Sequence, residues 1–148
     1  MQDITVQQAA DAGLPFIAIL IGLVVGLAIG IAIMAVIAWL FIGHYKVISA
    51  EHRKMEPGKV WLLVIPLFNL YWIFPVMLGL SDSYKAAFAA KGRTDVGDCA
   101  RQLGLFACIA YVCSVVPCVQ YLAAPAALVL LIIYLVKASE LRTKLLAP

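Results

Sequence analysis

A chain of 148 residues, 65% hydrophobic and 13% charged, has room for one membrane domain and for no soluble domain beside it. Eleven Lys and Arg against eight Asp and Glu give a net charge of +3, with every basic residue at or after Lys46. The basic residues come in small groups diluted by acids, which excludes a nucleic-acid partner and suits membrane orientation and contact with lipid headgroups.

Residues 1–13 are polar, with Asp3 and Asp11 and no Lys or Arg. They lack the basic start of a secretory signal, so the apolar run that follows is read as a retained anchor. That run, residues 14–42, is 29 residues without a formal charge, more than a hydrocarbon core of about 30 Å requires. Ala18, Gly22, Gly26 and Gly30 recur in it at i, i+4 spacing. Glycine lacks a β-carbon, so such a stripe lets another backbone approach closely. The partner is the chain's own hairpin, a second copy or a foreign subunit. The opposite face (Ile17, Ile21, Val24, Leu27, Ile31) is bulky and suits lipid.

Residues 43–59 form a basic loop with Lys46, Arg53, Lys54 and Lys59. Helix is predicted to persist toward Met55 and to stop at Glu56-Pro57-Gly58. The second charge-free run, 60–80, carries Pro66, Asn69, Tyr71, Trp72 and Pro75 at its centre. It is predicted to be proline-broken, either re-entrant or a kinked crossing. Residues 81–102 are predicted as an interfacial helix or the exposed end of the preceding one, capped by Asp82, stopped at Gly92 and carrying Lys85, Lys91 and Arg93. Thr94 or Asp95 is predicted to cap the next helix.

The third run, 103–136, would be roughly 50 Å long as one helix. Pro117, Gln120, Tyr121 and Pro125 interrupt it. A hairpin turning near Pro117–Tyr121, with arms of about 25 Å, fits better. Residues 137–148 are read as a basic tail with Lys137, Arg142 and Lys144.

The fold expected is an all-α integral membrane protein with a terminal helical hairpin. It has three crossings plus a proline-broken re-entrant segment, or four crossings. The first arrangement puts all eleven basic residues inside, and the second puts seven inside and four outside. Either way the C-terminus is cytoplasmic. The two broken runs also echo each other: Val-Ile-Pro66-Leu-Phe-Asn69-Leu-Tyr71 against Val-Val-Pro117-Cys-Val-Gln120-Tyr121, each followed by a second proline.

Residues able to support chemistry are few. His44 and His52 lie in the basic loop as solvated interfacial residues, and no imidazole stands in an apolar run to hold a haem. Cys108, Cys113 and Cys118 step by five, which rotates about 140° around a helix, so they are read with Cys99 as small buried apolar residues. No metal or cofactor is expected. No Asp, Glu, Lys or Arg stands in the runs, which argues against ion pumping and proton relay. Asn69 and Gln120 occupy matching places and are predicted to bond each other or to cap freed carbonyls. No serine has an adjacent base, so the sequence points away from catalysis.

The stretch Lys59-Val-Trp61-Leu-Leu-Val-Ile-Pro66-Leu-Phe-Asn69-Leu-Tyr71-Trp72-Ile-Phe74 resembles a motif of uncharacterised bacterial multi-span membrane domains. In these an Ile-Pro-x-x-Asn-x-Tyr/Trp core precedes a basic helical stretch and further apolar segments. The likeness covers about residues 57–93, with Pro117–Gln120 fitting more loosely. It implies a bacterial inner-membrane location and transfers no activity, since the domain has none assigned. Copies with a cytoplasmic N-terminal module imply an N-terminus inside and four crossings.

The function expected is that of a non-catalytic membrane subunit, accessory to a larger complex or self-associating through the glycine stripe. The alternatives are a small channel built around Pro66, Asn69, Pro117 and Gln120, and an organiser of anionic lipid through Lys46, Arg53, Lys54, Lys59, Lys85 and Arg93.

Overall fold

The computed structural model describes residues 2–147, with side chains from Pro15 onward. The expectation for the polar segment 1–13 therefore has side chains outside the described residues, although the backbone from Gln2 already belongs to the first helix. Among the described residues all secondary structure is helical: α1 (Gln2–Val47), a 3-10 helix (Pro57–Val64), α2 (Phe68–Ala90), α3 (Arg101–Cys113) and α4 (Gln120–Leu146). Two helical segments, Pro15–Val47 and Gln120–Leu146, are long and apolar enough to cross a membrane. At 13 residues, α3 is only about 20 Å long.

The contacts fix the direction of each element. Along α1 and α2, Gly30 shares a groove with Asn69, Ile37 shares a cavity with Ile73 and Met77, and His44 meets Tyr84. The two helices therefore run the same way. The 3-10 helix runs against them: Lys54 N–H bonds Ser83 Oγ near its start, the Lys59 carbonyl accepts from Trp72 Nε1, and Pro66 ends beside Gly30. In α3, Arg101 pairs with Asp82 and Cys108 lies against Ile73 and Met77, so it also runs against α2. Finally α4 turns back, with Tyr134 beside Ser81 and the Leu145 carbonyl bonded to Lys91. The chain is one long helix followed by two hairpins, each a short arm out and a long arm back.

Both hairpin tips coincide with the repeated motif seen in the sequence. At the first, the Phe68 N–H bonds the Pro66 carbonyl at 2.8 Å across Leu67, whose φ is 65° and ψ −44°. This is a γ-turn with positive φ, a strained form for a residue with a β-carbon. At the second, Val116–Val119 turn by short i to i−3 bonds. Pro75 and Pro125 then sit inside the returning helices, and each denies an amide to a tyrosine four residues earlier, Tyr71 or Tyr121.

Three boundaries differ from the sequence reading. First, α1 ends at Val47, and Pro57 starts the 3-10 helix where helix was expected to stop. Proline suits that first position, where its missing N–H would have no partner. Second, α2 continues without a break through Ser81 to Ala90, the second of the two forms expected there, so Asp82 is interior and pairs with Arg101 at 3.0 Å instead of capping. It stops where expected: Gly92, at φ 72°, supports Arg93 N–H to Phe88 O and Gly92 N–H to Ala89 O. Third, Asp98 rather than Thr94 or Asp95 starts the next helix, accepting from the Ala100 and Gln102 amides. The expected tail is helical to Leu146. Its last carbonyls are met by Lys91 Nζ on Leu145 O at 2.6 Å and Arg93 on Lys144 O at 3.3 Å, a favourable place for cations.

The arms of the second hairpin meet through small residues. Gly104, Ala107 and Cys108 of α3 and Ala123 and Ala127 of α4 are all buried. A β-carbon on Gly104 would stand 2.9 Å from the Tyr134 ring. The chain's own close packing therefore uses this set, and not the glycines of α1.

Candidate functional site

The ends of the three charge-free runs meet in space at one side chain. Tyr134 packs its ring on Phe41, with centroids 6.1 Å apart, and against Gly104. Its hydroxyl lies 3.0 Å from Ser81 Oγ and donates to the Met77 carbonyl at 2.6 Å. Beside it, Tyr45 donates to the Val76 carbonyl at 2.8 Å, and His44 Nδ1 stands 3.1 Å from the Tyr84 hydroxyl. Ser83 bonds the Gly79 carbonyl and accepts the Lys54 amide. These groups form a buried polar girdle in which every buried side-chain N or O among the described residues has a partner. Such satisfaction is required where no water reaches. His44 was expected in solvent and is instead buried, because its ring closes on Tyr84 across the helix pair.

The apolar runs lie largely on one side of the girdle and most of the basic residues on the other, while Lys59 reaches Trp72 within the second run. Beyond the tips, α1 continues alone. Every residue from Pro15 to Ile33, Ala18 included, is exposed. Nothing lies within 4 Å of a β-carbon built on Gly22, Gly26 or Gly30. Gly26 and Gly30 border an open groove of about 270 Å³ whose far wall includes Pro66, Leu67 and Asn69. The chain's own hairpin does not fill the stripe.

Comparison with family models, curated proteins and solved structures finds no match.

The resemblance over residues 57–93 therefore carries no family assignment, and the site has to be read from its geometry. Pro66 and Pro117 stand at the two tips. Asn69 and Gln120 hold equivalent places at the start of the returning helices, but no side-chain hydrogen bond joins them or caps a carbonyl with them among the described residues. Asn69 lines the groove beside Gly26 and Gly30, while Gln120 is exposed. The polar pair on which a channel reading depends is not assembled. An apolar cavity of about 390 Å³ does lie between the helices, walled by Met34, Ile37, Met77, Tyr111 and Leu128 among others.

The basic residues fare differently from one another. Arg53, Lys54 and Lys59 share one pocket with Trp72. Lys46 and Lys85 are exposed elsewhere, and Arg93 is drawn to the end of α4 and over the Phe88 ring at 5.4 Å. Among the described residues no three His, Cys, Asp or Glu side chains are grouped to hold a metal.

The four cysteines are free and split in two: Cys99 and Cys108 are buried, whereas Cys113 and Cys118 are exposed, against the expectation that all are buried. Cys108 and Cys113, five residues apart on α3, fall on different faces of the helix, and Cys118 lies in the second tip. Burial pushes the Cys99 thiol above its ordinary range, and the neighbouring Asp98 carboxylate adds to this. Only the thiolate reacts. At about pH 8, near the ordinary thiol value, Cys99 is therefore expected to alkylate more slowly than a small free thiol. Its rate should keep climbing after the free thiol has levelled, as peptide mass spectrometry after timed iodoacetamide quenching will show.

Several of these residues are silent in a one-dimensional reading. Tyr134 and Ser81 were not singled out, and the one signal that could have found them is a hydroxyl that must find a partner in apolar surroundings. Gly104 gave none, because a lone glycine in an apolar run does not disclose the ring that needs its space.

Proposed function

We propose that the protein is a non-catalytic integral membrane subunit that packs through the exposed arm of α1 against another membrane helix, in a second copy or a larger complex. In this arrangement α1 crosses the bilayer once. Both hairpins enter from the basic face and return to it, so the re-entrant reading of residues 60–80 extends to residues 103–136. The length of α3, about 20 Å against a core of about 30 Å, supports this. So does the charge: no basic residue precedes Lys46, and the side holding the basic loops is cytoplasmic by the positive-inside rule. The membrane proposed is a bacterial inner membrane, the location implied by the resemblance over residues 57–93.

The observation that carries the reading is the run Pro15–Ile33, wholly exposed, with three glycine positions open to an incoming backbone. Lipid tails offer no hydrophobic drive between helices, so a smooth glycine face gains most from close packing with another helix. The test is Gly26→Leu, followed by native mass spectrometry of protein extracted gently from its own membrane. Wild type is expected at multiples of 16.0 kDa or bound to larger chains, and the variant alone. The body should unfold at an unchanged temperature, since nothing of the chain touches Gly26 and leucine is the better helix former. Val24→Met, on the bulky face, should assemble normally. A solitary wild-type chain, or an assembly indifferent to Gly26→Leu, overturns the proposal.

A further inference from the structure

The pocket holding Arg53, Lys54 and Lys59 has a volume of about 470 Å³. Its polar wall is Arg53, Lys54, Glu56 and Lys59, and its apolar wall includes Trp72, from within the second charge-free run. Arg53 is fixed from behind: Nε donates to the Ile48 carbonyl at 2.6 Å and one terminal nitrogen to the Lys46 carbonyl at 3.4 Å. A guanidinium has five N–H donors, so three are left. The Lys54 backbone is pinned by Ser83 Oγ at 2.8 Å, while its side chain is exposed. Lys59 pairs with Glu56 at 3.5 Å, but both are largely exposed, and a pair of that kind holds weakly and can exchange partners. Three cations thus face one carboxylate. Elsewhere on the basic face Lys91 and Arg93 are engaged with α4 carbonyls, Arg101 with Asp82 and Lys137 with Glu140.

The apolar wall decides what kind of anion fits. The Trp72 indole donates to the Lys59 carbonyl at 2.9 Å and stacks on Phe68 with centroids 5.3 Å apart. This holds an amphipathic ring where the charge-free run meets the basic loop, the depth at which tryptophan settles in a bilayer. Met55 lines the same pocket. A soluble anion would use only the cations. A lipid uses the cations for its phosphate and the Trp72 side for its glycerol and upper chain.

We infer that this pocket is a binding site for the phosphate-bearing headgroup of an anionic phospholipid. The inference rests on the membrane arrangement proposed above and adds the ligand class and the residues that recognise it.

The test uses the full chain in detergent, titrated with phosphatidylglycerol or with phosphatidylcholine of the same acyl chains and read by native mass spectrometry. Wild type should retain phosphatidylglycerol in preference. Lys54→Gln with Lys59→Gln, which leaves the structural bonds of Arg53 intact, should weaken that retention about thirtyfold at low salt. Lys85→Gln with Arg142→Gln removes the same charge from other parts of the basic face and should leave retention unchanged. Equal retention of the two lipids, or equal loss in both double variants, overturns the site. Displacement of phosphatidylglycerol by an equal concentration of inorganic phosphate overturns the assignment to lipid. Washing native membranes at alkaline pH separates the two levels of inference. Release of the protein sinks the membrane arrangement itself, whereas a lipid-blind protein that stays in the pellet sinks only the headgroup site.

Discussion

Tyr134→Ala is expected to cost about 3–5 kcal/mol, the range for emptying a large aromatic site in a packed core. Tyr134 is 1% exposed and touches α1, α2 and α3 at once. Removing the ring leaves Phe41 without its neighbour, Gly104 facing a void, and Ser81 without its partner. Tyr134→Phe keeps the ring and loses only the hydroxyl bonds to Met77 and Ser81, so about 1 kcal/mol is expected. The tight approach to Gly104 supplies a sharper test. Gly104→Leu alone must clash, since even a β-carbon would lie 2.9 Å from the ring. Combined with Tyr134→Ala, the same leucine enters the vacated space. The double variant should therefore be more stable than the sum of the singles by about 1–3 kcal/mol. Unfolding curves for the four proteins, taken by titrating a denaturing detergent into mild micelles, complete the cycle. Additive losses would mean that Tyr134 and Gly104 do not share one packing site.

The second large effect is all or none. In a variant whose only thiol is Cys118, a membrane-impermeant maleimide should fail to label intact vesicles from either face. It should label the same protein once the vesicles are dissolved. Cys118 belongs to the second tip and is exposed, so its shielding comes from lipid and not from the protein. A hairpin with an arm of about 20 Å in a core of about 30 Å stops short of the far headgroups. Lys144→Cys, at the other end of α4, marks the accessible face. Labelling of Cys118 from the face opposite to that of Lys144→Cys would show a hairpin that crosses completely, and the proposed topology would fall.

The broad plan was legible because it depends on composition. Charge-free runs announce helices that avoid water, and Pro66, Pro117, Pro75 and Pro125 announced the two broken units. Even the echo between Asn69-Leu-Tyr71 and Gln120-Tyr121 marked real equivalence, the first turns of two returning helices. What stayed hidden depends on neighbours. In the run from 103 to 136 Pro117 marked the turn, but not the residues at which α3 starts and stops. Those limits are set by the Asp98 carboxylate, the left-handed Ala100 and the Ser114 hydroxyl turned onto the Tyr111 carbonyl. Small residues occur on α1 and on α3 and α4 alike, and spacing alone could not tell that the chain uses Gly104, Ala107, Ala123 and Ala127 for itself. Likewise the eleven basic residues looked interchangeable. Only folding distinguishes Arg93, held against α4, from Arg53, Lys54 and Lys59, gathered around one pocket.

The mismatch between one lone helix and two shorter hairpins has a mechanical consequence. About 17 Å of α1, from Pro15 to Gly26, continues past the tips alone. Level with Ile37 the four α-helices line one cavity, and the 3-10 helix bonds the neighbouring turn of α2 at Trp72, which makes five helical segments side by side. A helix about 10 Å across fills roughly 80 Å² of membrane plane. In the proposed orientation the protein thus displaces roughly 400 Å² at the headgroup level of one monolayer and roughly 80 Å² at that of the other. That taper is a wedge. It is least strained where the cytoplasmic monolayer is the convex one, and copies gathered through their slender arms would add their tapers and bend a flat bilayer the same way.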